Sequence, residues 1–130
     1  MINEKRPTDG ELEVLQILWK NGPSTVREIN ELLNSDKDKS IGYTTTLKIM
    51  QIMFEKGLLL RDDSQRTHIY SAAVREGKIQ SALLDRFLNA AYKGSASKLA
   101  MHLLGNHETT PDELAAIKAL IDQLEKNKPS

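Results

Sequence analysis

The chain has no cysteine, which excludes disulfide staples, thiolate zinc sites and cysteine nucleophiles. Aromatic residues are scarce, with a single Trp, so the core must be built mainly of Leu, Ile, Val, Met and Ala. Net charge is lacking too: 18 basic and 18 acidic side chains cancel. That balance by itself gives no support to nucleic-acid binding, which must rest on local geometry, because a neutral chain can still present a basic face. No apolar run approaches the roughly 20 residues that span a bilayer. The opening Met1-Ile-Asn-Glu-Lys-Arg lacks the apolar centre of a leader. The expectation is a cytoplasmic protein with no membrane insertion. His68, His102 and His107 are too scattered to suggest a metal site, and no cofactor is expected. There is no Gly-rich phosphate loop, nucleophile elbow or paired metal-ligand motif, so an enzyme is not expected.

What is present fits a globular chain: 130 residues with closely mixed charges, enough for one small domain and an appendage. Thr8-Asp9-Gly10-Glu11 reads as a capping box, and Leu12, Leu15, Leu18 and Trp19 follow at helical spacing. This predicts a first helix over Asp9 to Lys20, stopped by Asn21-Gly22-Pro23. Ser24 or Thr25 caps a second helix with Val26, Ile29 and Leu33 on its inner stripe and its end near Asn34. The polar stretch from Ser35 to Ser40 reads as a loop.

A third helix is predicted from Tyr43 to Lys56. At 100° per residue, Leu47, Ile49, Met50, Met53 and Phe54 share one half with Tyr43 and Thr46. Thr44, Thr45, Lys48, Gln51 and Glu55 share the other with Ile52 and Lys56. Gly57 is placed to end the helix in a left-handed conformation. Leu58 to Arg61 and His68 to Ser71 then flank a turn-rich segment, which predicts a β-hairpin. Three helices and a hairpin, in that order, make a winged helix-turn-helix.

Beyond Ala73 the pattern changes. Ile79, Leu83, Phe87 and Leu88 form a stripe on a helix over Arg75 to Tyr92, broken by Gly94-Ser95. Ser97 to Leu104 predicts a shorter helix carrying Leu99, Leu103 and Leu104, and Gly105 to Thr110 a turn. Thr110-Pro111-Asp112-Glu113 opens a last helix striped by Leu114, Ile117, Leu120, Ile121 and Leu124. Three such helices hold too little apolar surface for an independent core. Burial against the same helices of a second chain is the economical arrangement, with packing back on the first domain as the alternative. The expected fold is mainly α with a small β-hairpin: a winged-helix DNA-binding domain over residues 1–73 and a helical dimerisation domain over 74–130.

Thr44, Thr45 and Lys48 fall at the start of the third helix, the end that enters the major groove in helix-turn-helix proteins. A Thr hydroxyl donates or accepts, its methyl suits a thymine methyl, and Lys donates to guanine O6 or N7. The same pattern also fits an ordinary solvated face with a Thr cluster. Toward DNA point the short side chains of the first turn, Lys37, Lys39 and Ser40 before the helix, and Gln65, Arg66 and Thr67 at the hairpin tip. The expected backbone contacts are Thr25, Lys39, Ser40, Tyr43, Gln51, Arg66 and Thr67. Asp62, Asp63 and Glu55 argue the other way unless turned from phosphate. A winged-helix adaptor binding a protein partner is the competing reading, but it would expose apolar anchors on the helix, where only Ile52 is apolar.

The segments Glu11 to Trp19, Tyr43 to Lys48 and Glu55 to Leu59, with the hairpin ending in Tyr70 and the late Gly94-Ser95, resemble the penicillinase-repressor family of the BlaI/MecI type. The resemblance spans roughly Pro7 to Lys126 and rests on the order and spacing of segments rather than on any one of them. It implies a homodimeric repressor on a palindromic double-stranded DNA operator. It also implies relief by a membrane-bound metalloprotease sensor that cleaves the dimerisation tail. Cleavable members carry Asn-Phe where this chain has His102-Leu103, which keeps the apolar residue and loses the Asn. Copper-responsive relatives use tail cysteines, so that effector is excluded.

Overall fold

A computed structural model describes residues 6–35 and 40–128. The elements are α1 (Asp9–Asn21), α2 (Val26–Asn34), α3 (Tyr43–Glu55), β1 (Leu59–Asp62), β2 (Ile69–Ala72), α4 (Glu76–Tyr92), α5 (Ala96–Asn106) and α6 (Pro111–Asn127). The chain forms two compact units that part within α4, between Leu84 and Asp85.

The starts of α1 and α2 are dictated locally. Thr8 accepts from the Glu11 amide, and the Glu11 carboxylate accepts from the Thr8 amide in return. Thr25, not Ser24, makes the same reciprocal pair with Glu28 at the head of α2. Val14, Leu15 and Leu18 of α1, Val26, Ile29 and Leu33 of α2, and Met50 and Met53 of α3 meet Leu58, Leu59 and Tyr70 in one core. Each fully buried aliphatic side chain contributes about 1.5–3 kcal/mol against exposure. α3 ends as Gly57 takes φ 85°, a conformation that favours glycine.

β1 and β2 pair antiparallel with Leu59 opposite Ala72 and Asp62 opposite Ile69. Both strands lie one residue later than the sequence pattern suggests. A further pairing joins the hairpin to the segment before α2: Ser24 N–H donates to Tyr70 O at 2.9 Å and Tyr70 N–H to Ser24 O at 2.8 Å. This brings the head of α2 beside the hairpin. Among the described residues the fold is thus a winged helix followed by a helical tail.

Three expectations for helix faces and ends are corrected. Periodicity places Tyr43 on the inner half of α3, but it is exposed: it lies in the first turn, and its ring meets the Arg27 guanidinium of α2 rather than the core. Lys56, assigned outward, turns in to a carboxylate on α1. α5 continues through Gly105 to Asn106 where a turn was expected. A helical Gly costs only about 1 kcal/mol, which its neighbours outweigh here.

In the tail, Ser95 caps α5, and Thr110 and Glu113 form a capping box on α6 with Pro111 in the first turn. Neither α5 nor α6 buries a residue. No helix among the described residues is long and apolar enough to cross a membrane.

Candidate nucleic-acid interface

The three threonines that open α3 divide by the helical repeat. Thr44 and Thr45 face outward, while Thr46 is wholly buried and its hydroxyl accepts from Asn30 Nδ2 at 2.7 Å. Lys48 and Gln51 extend the outward face, and Ile52 is the apolar residue on it. The N-cap is Gly42, which has no side chain to satisfy the first-turn amides. Those amides and the positive end of the helix dipole are therefore directed at whatever approaches, and an anion is favoured there.

Beside this face lies a groove lined by Thr25, Val26 and Arg27 of the α2 head, Tyr43 and Leu47 of α3, and Arg66, Thr67, His68 and Tyr70 of the hairpin. Four of the expected backbone contacts, Thr25, Tyr43, Arg66 and Thr67, are thereby brought together. Ser40 and Gln51 are exposed but do not line it, and Lys37 and Lys39 lie outside the described residues. The groove's lining holds two arginines and no carboxylate. Thr25 Oγ1 acts as an acceptor in its cap bond, so its O–H is still a donor toward the groove.

Arg27 and His68 were missed. Arg27 stacks its guanidinium over the Tyr43 ring at 5.8 Å, a geometry that holds a cation near an aromatic face. Its place in the first turn of α2, two residues after the cap and off the Val26–Ile29–Leu33 stripe, was the available signal. For His68 none was present, because its position depends on the Ser24–Tyr70 pairing.

The two hairpin aspartates engage locally. Asp62 accepts from the hydroxyl and then the backbone N–H of Ser64, and both bonds lower its pKa from the ordinary 3.8. The backbone bond is 3.0 Å. Asp63 lies 3.5 Å from the Arg61 guanidinium, which itself stacks on Phe54 at 4.3 Å. Each carboxylate thus has a partner on its own hairpin.

The tail residues expected to mediate dimerisation divide by exposure. Leu83, Leu99 and Ile117 are half-buried, whereas Phe87, Leu103, Leu114, Leu120, Ile121 and Leu124 are exposed, each by about half of its surface. His102 lies in the middle of α5, and its Nδ1 is 2.7 Å from the Tyr92 hydroxyl. The Tyr92 ring also lies 5.8 Å from that of Phe87.

Fold and outward face define a winged helix-turn-helix protein with an appended helical tail. A family model described as penicillinase repressor matches residues 7–123. The chain is 28% identical over 120 residues to the transcriptional regulator BlaI of Mycobacterium tuberculosis (strain ATCC 25618 / H37Rv), covering 89% of this chain and 84% of that one. It is 22% identical over 121 residues to the penicillinase repressor of Bacillus licheniformis, covering 93% of each. The chain belongs to the penicillinase repressor family, and it is a transcriptional repressor rather than an enzyme.

Proposed function

We propose that the protein represses transcription in the cytoplasm as a homodimer that seats α3 of each copy in the major groove of a palindromic operator. Thr44, Thr45 and Lys48 read base edges. Thr25, Arg27, Ser40, Tyr43, Gln51, Arg66 and Thr67 hold the phosphate backbone on either side. The observation that carries the reading is the placement of an uncapped, Thr-rich helix start beside a groove with two arginines and no acid. A dimer of this kind meets two half-sites about 34–36 Å apart, or a multiple of that spacing.

The second copy follows from the tail. α5 and α6 bury nothing in one chain, yet Phe87, Leu103, Leu114, Leu120, Ile121 and Leu124 form apolar stripes that water would otherwise cover. Leu83, Leu99 and Ile117 complete them. The same stripes from a second chain supply the matching surface.

The experiment is a binding comparison. The wild-type chain, Thr44→Ala, Thr45→Ala and Lys48→Ala are titrated onto the chain's own promoter duplex and a scrambled duplex. Loss of a base contact costs about 1–3 kcal/mol of discrimination. A phosphate contact at Lys48 would instead weaken both duplexes alike. Unchanged binding by all three folded variants removes α3 from the interface and leaves the protein-adaptor reading.

Relief through a membrane-bound metalloprotease sensor would act at His102-Leu103. That bond lies inside α5, with His102 tied to Tyr92. A peptidase that takes its substrate in extended form reaches it only after α5 opens locally.

A further inference from the structure

We infer that Asn30 and Asn34 are positioning residues for DNA recognition: from one face of α2 they clamp the backbone just before α3 and so aim the helix that reads the operator. The inference rests on the DNA-binding reading and deepens it. Asn30 and Asn34 are four residues apart, which places them one above the other on α2. Both side-chain amides donate to the carbonyl of Ile41, each at 2.9 Å. The Ile41 N–H donates back to Asn34 Oδ1 at 2.6 Å, and Asn30 Nδ2 also donates to the buried Thr46 hydroxyl at 2.7 Å. Ile41 immediately precedes the N-cap Gly42, and Thr46 closes the first turn through its amide bond to Gly42 O.

The clamp explains how a helix without a side-chain cap has a defined start. α1, α2 and α6 each fix their own first turn with a capping box. α3 has glycine at that position and no side-chain cap bond. A Ser or Thr cap there would occupy a first-turn amide and put a side chain where a phosphate approaches. Anchoring the preceding peptide from α2 fixes the helix start and leaves those amides for the ligand. Thr44 and Thr45 lie within the clamped interval, between Ile41 and Thr46, so a shift of that interval moves both.

The test uses the full chain and the duplex that it enriches from a random-sequence library, with a shuffled duplex as reference. Asn34→Ala should lower affinity for the enriched duplex about tenfold, the loss expected when one hydrogen-bonded positioning contact goes. Affinity for the shuffled duplex should stay within about twofold, because phosphate contacts are not sequence-read. Thr46→Val should narrow the same ratio, and Thr46→Ser, which keeps the hydroxyl, should restore it. Amide exchange at Ile41 and Thr46 in the free variants should quicken while that of α1 does not. An unchanged ratio in folded Asn34→Ala and Thr46→Val overturns the inference, as does an equal loss on both duplexes, which would mark a purely structural role. If Asn34→Ala does not fold, the Thr46 pair decides. Enrichment of no sequence by the wild-type chain would refute the DNA-binding reading itself, and the clamp with it.

Discussion

The ammonium of Lys56, just past the last turn of α3, lies 2.7 Å from Glu11 Oε1 in the first turn of α1. The same carboxylate oxygen accepts from the Thr8 amide at 3.0 Å. One buried acid therefore closes the cap of α1 and ties down the far end of α3. The pair is asymmetric: Glu11 is buried, whereas the Lys56 side chain keeps 29% of its surface in water. Removing the lysine strands a charge; removing the acid's charge lets the lysine turn outward. Lys56→Met should cost about 1–3 kcal/mol and Glu11→Gln less, since Gln can still accept from Thr8. Urea unfolding of both variants measures the order, and a larger loss for Glu11→Gln would contradict the asymmetry.

Arg27 of α2 and Arg66 of the hairpin both line the groove. Alanine at either position should weaken binding to operator and random DNA by the same factor. It should also reduce the slope of log affinity against log salt by about one unit. Anisotropy titrations over a series of KCl concentrations provide the slope. A change in sequence preference would move these residues from the backbone to the base edges.

Leu120 is 54% exposed on α6. If a second chain covers it, Leu120→Asp places a carboxylate in an apolar interface twice per dimer, and the assembly should dissociate. Sedimentation equilibrium of wild type and variant reads this directly. A wild-type chain that is monomeric at every concentration contradicts the dimer.

The hairpin tip carries a small pH dependence of known sign. The folded pKa of Asp62 is depressed, because Ser64 hydrogen-bonds its ionised form. Its contribution is therefore full above the ordinary 3.8 and is lost as pH falls through the lower folded value. Following the Ser64 amide by NMR should give a midpoint below 3.8 in wild type. Ser64→Ala should bring the Asp62 midpoint back toward that value, because the hydroxyl bond is lost. Binding near neutral pH should be indifferent to this titration.

What the sequence revealed depends on how far apart the interacting residues are. The capping box at Thr8 and the stripe of α2 link residues three or four apart, so spacing alone discloses them, whereas the choice of Thr25 over Ser24 and the reciprocal bonds at Thr110 came with the structure. The split of Thr44 and Thr45 from Thr46 likewise follows from the helical repeat. The Ser24–Tyr70 pairing joins segments 46 positions apart in number, and nothing in either segment names the other. His68 enters the groove only through that pairing. The Asn30 and Asn34 clamp was hidden for a related reason. Asparagine on a helix reads as a solvated residue until the loop it holds is seen. Lys56 misled because periodicity gives a direction and not a partner.

Trp19 donates its indole N–H to the carbonyl of Val74, 55 residues later, at 2.9 Å. It is the one tryptophan in the chain. Val74 comes just after the hairpin and just before α4, so this bond fastens the exit of the winged helix to its first helix. The protein thus contains its own optical gauge. Indole emission will follow the opening of that fastening separately from events in α5 or α6, which carry no tryptophan, so unfolding of the winged helix can be timed without attaching a label and set against the loss of helix signal in the whole chain.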